Sequence, residues 1–267
     1  MSSQPKRMLS AVSALALVLT VWMARSPGVA ADEADAKRFL KAMTDYVGAQ
    51  QAISFEYDAT LEVVTKDRQK LQLASSGVVS LARPDKIRTT RSGGFVDMET
   101  VFDGKTLTLF GKNKKVYARV EAPGSLDSLM NELEKKYDRS LPAADLFLTH
   151  AYDEMTADVS DVKDLGSGVI GGIECDYFAF RAKDVDWQIW VTQGAKPRPC
   201  RYVITSTGIP DSPQYTVQLR NWKTGSEVAK TDFAFKPPAG TRQIDLDELK
   251  KTKDMGELPS HFIVGGQ

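Results

Sequence analysis

Residues 95–120 read FVDMETVFDGKTLTLFGKNKKVYARV. Two short polar turns, Asp103-Gly104 and Gly111-Lys112-Asn113-Lys114, divide the stretch into apolar runs at 95–102, 106–110 and 116–120. Asp-Gly between apolar runs is a strong hairpin signal, because the two-residue turn needs positive φ and few residues tolerate it. Two hairpins in succession make an antiparallel meander. Upstream, Ser92-Gly93-Gly94 joins residues 86–91 to it. Further back, Phe55, Tyr57, Ala59, Leu61 and Val63 alternate with Glu56, Asp58, Thr60 and Glu62. That period of two is a strand with one wet face. Leu71, Leu73, Ser75, Gly77, Val79 and Leu81 continue it, so residues 53–120 are expected to form about six antiparallel strands.

Helical signals flank and interrupt the meander. Residues 32–50 begin with Asp32, Glu33 and Asp35, where a helix dipole favours acids, and carry Phe39, Met43, Tyr46 and Val47 at three- to four-residue spacing. Ser125 is placed to cap a helix faced by Leu126, Leu129, Met130, Leu133 and Tyr137. Pro142 suits the first turn of a shorter helix over 143–148. Strands resume at about 159–165, 173–181, 187–192, 201–205, 215–222 and 232–235. The pattern predicts a mainly β chain with helices (α+β). Its form is a curved antiparallel sheet, or open half-barrel, of about eleven strands with a helical lid on the concave side.

Residues 1–31 carry Lys6 and Arg7, then an apolar run from Met8 to Met23, then Val29-Ala30-Ala31 at a small-residue cleavage site. This is the pattern of an export signal, and the run falls short of the ~20 residues that a membrane span needs. The expected division is a signal peptide at 1–31 and a single domain at 32–267, with a C-terminal tail from about 246. No later segment is apolar enough to span a bilayer. The whole chain of 267 residues balances 35 Lys+Arg against 35 Asp+Glu, and residues 32–267 keep 32 basic against 35 acidic groups. That balance argues against nucleic-acid binding, which needs a basic stripe. Two His and two Cys are too few for a Cys/His zinc cluster. His150 and His261 stand near no recognisable nucleophile motif, and there is no phosphate-binding glycine loop. Asp184 and Asp186 flank a turn and are read as solvated turn residues. Neither a cofactor nor catalysis is expected.

Several motifs, in order, resemble a known group. They are Arg83-Pro84-Asp85-Lys86-Ile87-Arg88, Phe102-Asp103-Gly104-Lys105-Thr106-Leu107, Lys115-Val116-Tyr117, a Leu-rich helix, and Phe233-Ala234-Phe235-Lys236-Pro237-Pro238-Ala239-Gly240. This order is similar to the periplasmic lipoprotein-carrier superfamily of outer-membrane lipoprotein localisation factors. Residues 175–181, Asp186-Trp187-Gln188-Ile189-Trp190 and Pro199-Cys200-Arg201-Tyr202-Val203-Ile204-Thr205 resemble, more narrowly, the predicted periplasmic family of unknown function numbered 2092. The resemblance covers about residues 35–245. It implies an unclosed barrel with a helical lid around an apolar cavity, and a periplasmic location.

An open barrel must fill its concavity with side chains, helices or ligand. The candidates on the strands are Phe55, Tyr57, Leu61, Leu107, Leu109, Tyr117, Tyr177, Trp187 and Ile189. Either they pack against the helices, or some line a cavity for acyl chains, which needs apolar area and no polar code. Arg83 and Arg88 belong to the element that the resemblance puts at the barrel, where a guanidinium would pair with a lipid head group; the alternative is a solvated arginine paired with an acid. Trp187 and Trp190, three apart on a strand, must face opposite sides. Cys175 and Cys200 form an even pair in an exported chain, which favours a disulfide. Consecutive hairpins would instead hold them two strands apart, at about 9–10 Å. The leading expectation is a non-enzymatic periplasmic carrier or binder of a lipid-like or lipoprotein-acyl ligand. The alternative is an envelope structural or sensory module that binds another protein.

Overall fold

The computed structural model describes residues 33–137, 143–228 and 230–252. The proposed signal segment, Pro142 and His261 lie outside the described residues. The alternating pattern from Ile53 onward becomes β1 (Ala52–Val64), which pairs over its whole length with β2 (Lys70–Ala82). The meander continues through β3 (Lys86–Gly93), β4 (Val96–Phe102), β5 (Thr106–Gly111) and β6 (Val116–Glu121). At the Asp103-Gly104 turn, the Asp103 carboxylate accepts from the backbone N–H of Lys105 at 3.0 Å and of Thr106 at 2.8 Å, while Gly104 takes φ 93°. The second run comprises β7 (Asp161–Ile170), β8 (Ile173–Arg181), β9 (Val185–Thr192), β10 (Pro199–Ser206) and β11 (Gln214–Thr224).

These strands and β12 (Arg242–Gln243) form one sheet of twelve, in the order β12-β6-β5-β4-β3-β2-β1-β11-β10-β9-β8-β7. The first strand therefore sits in the interior, and β11 closes onto it from more than 150 residues away, with Leu61 opposite Tyr215. The two outermost strands do not pair, so the sheet is open and curved, as expected. Residues 232–235 differ from expectation. They form no strand but cross the convex face, where the Phe235 ring lies 5.6 Å from Phe110 and 5.2 Å from Tyr117. The chain then adds β12 in parallel to β6. The stretch expected as a tail from about 246 opens with the helix α4 (Leu246–Lys250), numbered last in chain order. It is capped by Asp245, and its Leu249 is fully buried beside Val116, Ala118 and Ile244.

The helices divide the concave face. α1 (Glu33–Ala49) buries Ala36, Leu40, Met43 and Val47 and lies towards the β7 end, with Phe39 stacked 5.7 Å from Phe178. The insertion after β6 comprises α2 (Leu126–Tyr137), a 3-10 turn at Ala144–Phe147 and α3 (Ala151–Thr156). Ser125 caps α2 as expected, its Oγ accepting from the Ser128 N–H at 3.2 Å.

Candidate ligand cavity

Register fixes which alternate positions point inward. Phe55 and Tyr57 on β1, Val79 and Leu81 on β2, Ile87, Thr89 and Arg91 on β3, and Leu107 and Leu109 on β5 share the concave face. On the other half of that face, Phe178 and Phe180 on β8, Trp187 and Ile189 on β9 and Tyr202 on β10 are all buried. There the aromatic rings meet one another: Phe180 stacks on Trp187 at 3.8 Å, and Trp187 meets Tyr202 edge-on at 5.8 Å. With α1 above them, these side chains fill their half of the concavity.

The half under α2 is not filled. A cavity of about 460 Å³ lies between β1–β5, β11 and the insertion. Phe55, Val79, Leu81, Ile87 and Leu109 form its floor, and Leu126, Met130, Leu133 and Phe147 its roof. The volume is within the ~300–1,000 Å³ of sites that enclose small organic ligands, and the walls are mostly hydrocarbon. The roof is tied down by the Arg83-Pro84 corner. Arg83 Nη2 donates to the Phe147 carbonyl at 2.8 Å, and the Leu126 N–H donates to the Pro84 carbonyl at 2.8 Å. Asp127 accepts from the Thr149 N–H at 3.0 Å. Phe147 also stacks 5.0 Å from Phe55. Burial pushes the Arg83 guanidinium below its ordinary pKa, against the opposing pull of Asp127.

One end of the cavity is polar. Tyr57, Thr89, Thr90, Arg91, Thr100 and Tyr215 gather there. The Tyr57 hydroxyl donates to the Thr90 carbonyl at 3.0 Å, and Gly77 makes this possible. A Cβ at Gly77 would stand 1.8 Å from that carbonyl oxygen and 2.8 Å from the Tyr57 hydroxyl. Burial pushes both phenols up, with the Arg91 charge opposing, so they are neutral at physiological pH.

Of the expected cavity residues, Phe55, Tyr57 and Leu109 line the space. Leu107, Trp187 and Ile189 point the same way but are consumed by packing. Leu61, at 36% exposure, lies beyond the cavity's rim, and Tyr117 faces the convex side under Phe235. Tyr177 is also on the convex face, stacked 4.1 Å from Trp190, so the two tryptophans do part to opposite faces. Neither of the two expected arginines lines this space. Arg83 braces the insertion from below. Arg88 points to the convex side, where it pairs with Glu99 at 2.5 Å and donates to the Asp232 carbonyl at 2.6 Å. The arginine at the cavity is Arg91. The signal for it was parity: Arg91 is four residues from the inward Ile87, whereas Arg88 is one.

Cys175 and Cys200 are free thiols, both buried, with sulfurs 2.7 Å apart. That is longer than the ~2.05 Å of a disulfide bond, so the pair is not bridged here. They stand two strands apart, on β8 and β10, as expected, yet their sulfurs meet. Cys200 is the extra residue of a bulge between Pro199 and Arg201, and its sulfur reaches across β9 to Cys175. Burial pushes both thiols above the ordinary thiol range, so neither is a reactive thiolate. Among the described residues no group of His, Cys, Asp or Glu is placed to hold a metal ion, and no helix is long and apolar enough to cross a membrane.

Similar architecture occurs in solved structures of low identity. LprF from Mycobacterium bovis matches at 13% identity and TM-score 0.46, over 76% of this chain and 97% of its own. A LolA superfamily protein from Nitrosomonas europaea matches at 12% identity and TM-score 0.33, over 74% of this chain and 99% of its own. The MucA/MucB complex structure from Pseudomonas aeruginosa matches at 13% identity and TM-score 0.40, over 72% of this chain and 58% of its own. No curated protein matches the chain. The family model described as "Predicted periplasmic protein (DUF2092)" matches residues 36–247, a span that takes in the whole sheet and the cavity, and the chain belongs to this periplasmic family.

Proposed function

We propose that this protein is a periplasmic carrier or binder of a lipid-like ligand, free or attached to a lipoprotein, and that it holds an acyl chain in the cavity without transforming it. The observation that carries the reading is the unfilled, apolar-walled space of about 460 Å³ beneath α2, in a domain whose other half is packed solid. An acyl chain needs only area to bind, at roughly 0.8 kcal/mol per buried methylene. The test is native mass spectrometry of protein purified from its own envelope, together with uptake of a fluorescent acyl probe. Leu109→Glu places a carboxylate on the cavity floor, where its burial is costly, and should abolish uptake while circular dichroism shows a folded sheet. A folded wild-type protein that carries no lipid and takes up no probe would overturn the reading.

The second reading is a docking module for another envelope protein. It is favoured by apolar side chains left in solvent around the free edge strand, Val169 at 70% and Ile173 at 55% exposure.

A further inference from the structure

We propose that the ligand of this cavity is an anionic amphiphile, with its chain beneath α2 and its carboxylate or phosphate head held by Arg91. The inference rests on the acyl-binding reading above and adds to it a polarity and a direction. Along β3 the inward residues run Ile87, Thr89, Arg91. Ile87 is opposite Leu81 on one side and Phe102 on the other, at the end roofed by Leu126. Arg91 is opposite Met98 at the far end, among Tyr57, Thr100 and Tyr215. The cavity therefore grades from hydrocarbon to cation along a single strand.

Among the described residues Arg91 has no countercharge. Its Nε donates to Ser75 Oγ at 3.2 Å. On the sheet Arg88 pairs with Glu99, Arg181 with Asp186, Arg220 with Asp58 and Arg242 with Glu248, while Arg119 and Arg201 lie over the rings of Tyr117 and Trp190. The acids that flank Met98 point to the opposite face, where Glu99 is taken by Arg88 and Asp97 by Ser92. Asp145, the acid whose charge reaches Tyr215, accepts from the Tyr202 hydroxyl at 2.9 Å and is pushed by burial toward its neutral form. Arg91 is half-buried at the polar end of the cavity, and its planar donors match a carboxylate or phosphate with two bonds. A site for neutral hydrocarbon alone would have no use for it.

The experiment uses the full chain, stripped of lipid, and four probes: dodecanoate, dodecyl phosphate, dodecanol and inorganic phosphate. Calorimetry should show both anionic amphiphiles binding about tenfold or more tighter than dodecanol, and inorganic phosphate not binding. Arg91→Gln should erase that advantage and leave dodecanol unchanged, whereas Arg91→Lys should keep part of it. The ratio of dodecanoate to dodecyl phosphate identifies which head the site prefers. If dodecanol binds wild type as tightly as the anions, or if folded Arg91→Gln weakens all three chains alike, the head-group assignment falls and the acyl-binding reading stands. If inorganic phosphate binds as tightly as dodecyl phosphate, the site is one for free anions and the proposal falls. If none of the three chains binds, both readings fall together.

Discussion

Asp145 shows how one buried group makes stability depend on pH. It sits in the 3-10 turn of the insertion, where burial raises its pKa and the hydrogen bond from Tyr202 only partly opposes this. A carboxyl whose folded pKa lies above its unfolded value of about 3.9 favours folding while protonated. Its contribution is complete below that unfolded value and is lost as pH rises through the folded one. Asp145→Asn keeps an oxygen for Tyr202 and removes the charge. The variant should melt higher than wild type at pH 7, and the gap should close near pH 3, as followed by thermal scans. A gap that is constant with pH would mean that Asp145 is not the titrating group. At this scale the sequence was legible only as far as parity allowed. Alternation showed that Phe55 and Tyr57 share a face, but not that Leu61 outruns the cavity, since that depends on where the insertion stops covering β1. Arg88 and Arg91 differ only in parity against Ile87, and weighing the motif above the alternation selected the one that points away.

At the scale of elements, local signals were decisive where they carried their own chemistry. Asp103-Gly104 and the Ser125 cap both appear as the sequence implied, because each is satisfied within a few residues. Ser125→Ala removes the acceptor for the Ser128 N–H and should cost about 1 kcal/mol, with faster hydrogen exchange confined to α2 and the sheet unchanged. Exchange accelerating equally in the sheet would show that the insertion and sheet unfold as one unit. Elements fixed by tertiary context were less visible. Residues 232–235 have the apolar alternation of a strand, yet Phe235 is used to cover Phe110 and Tyr117. The two-residue β12 has too little pattern to announce itself. The approach of Cys200 to Cys175 depends on a bulge that Pro197 and Pro199 make plausible but do not place.

For the whole molecule, the stretch that follows β11 is part of the fold. Residues 231–252 shield Phe110 and Tyr117 on the convex face, pair with the outer edge of β6 and bury Leu249 against its inner face. A chain ending at Val228 would expose that apolar surface beside a bare strand edge, which is a template for pairing with other chains. It should self-associate on size-exclusion chromatography and lose the sharp thermal transition of the full chain. A monomeric, cooperatively melting truncation would show that β6 is protected by other means.

The interior position of β1 governs how the chain comes together in time. The meander β1–β6 can assemble from near neighbours, but β1's other edge stays bare until β11 arrives from more than 150 residues downstream. Closing so long a loop is slow relative to hairpin formation, so it sets the pace of folding. A chain delivered N-terminus first presents half a sheet, its central edge open, for as long as its second half is still in transit.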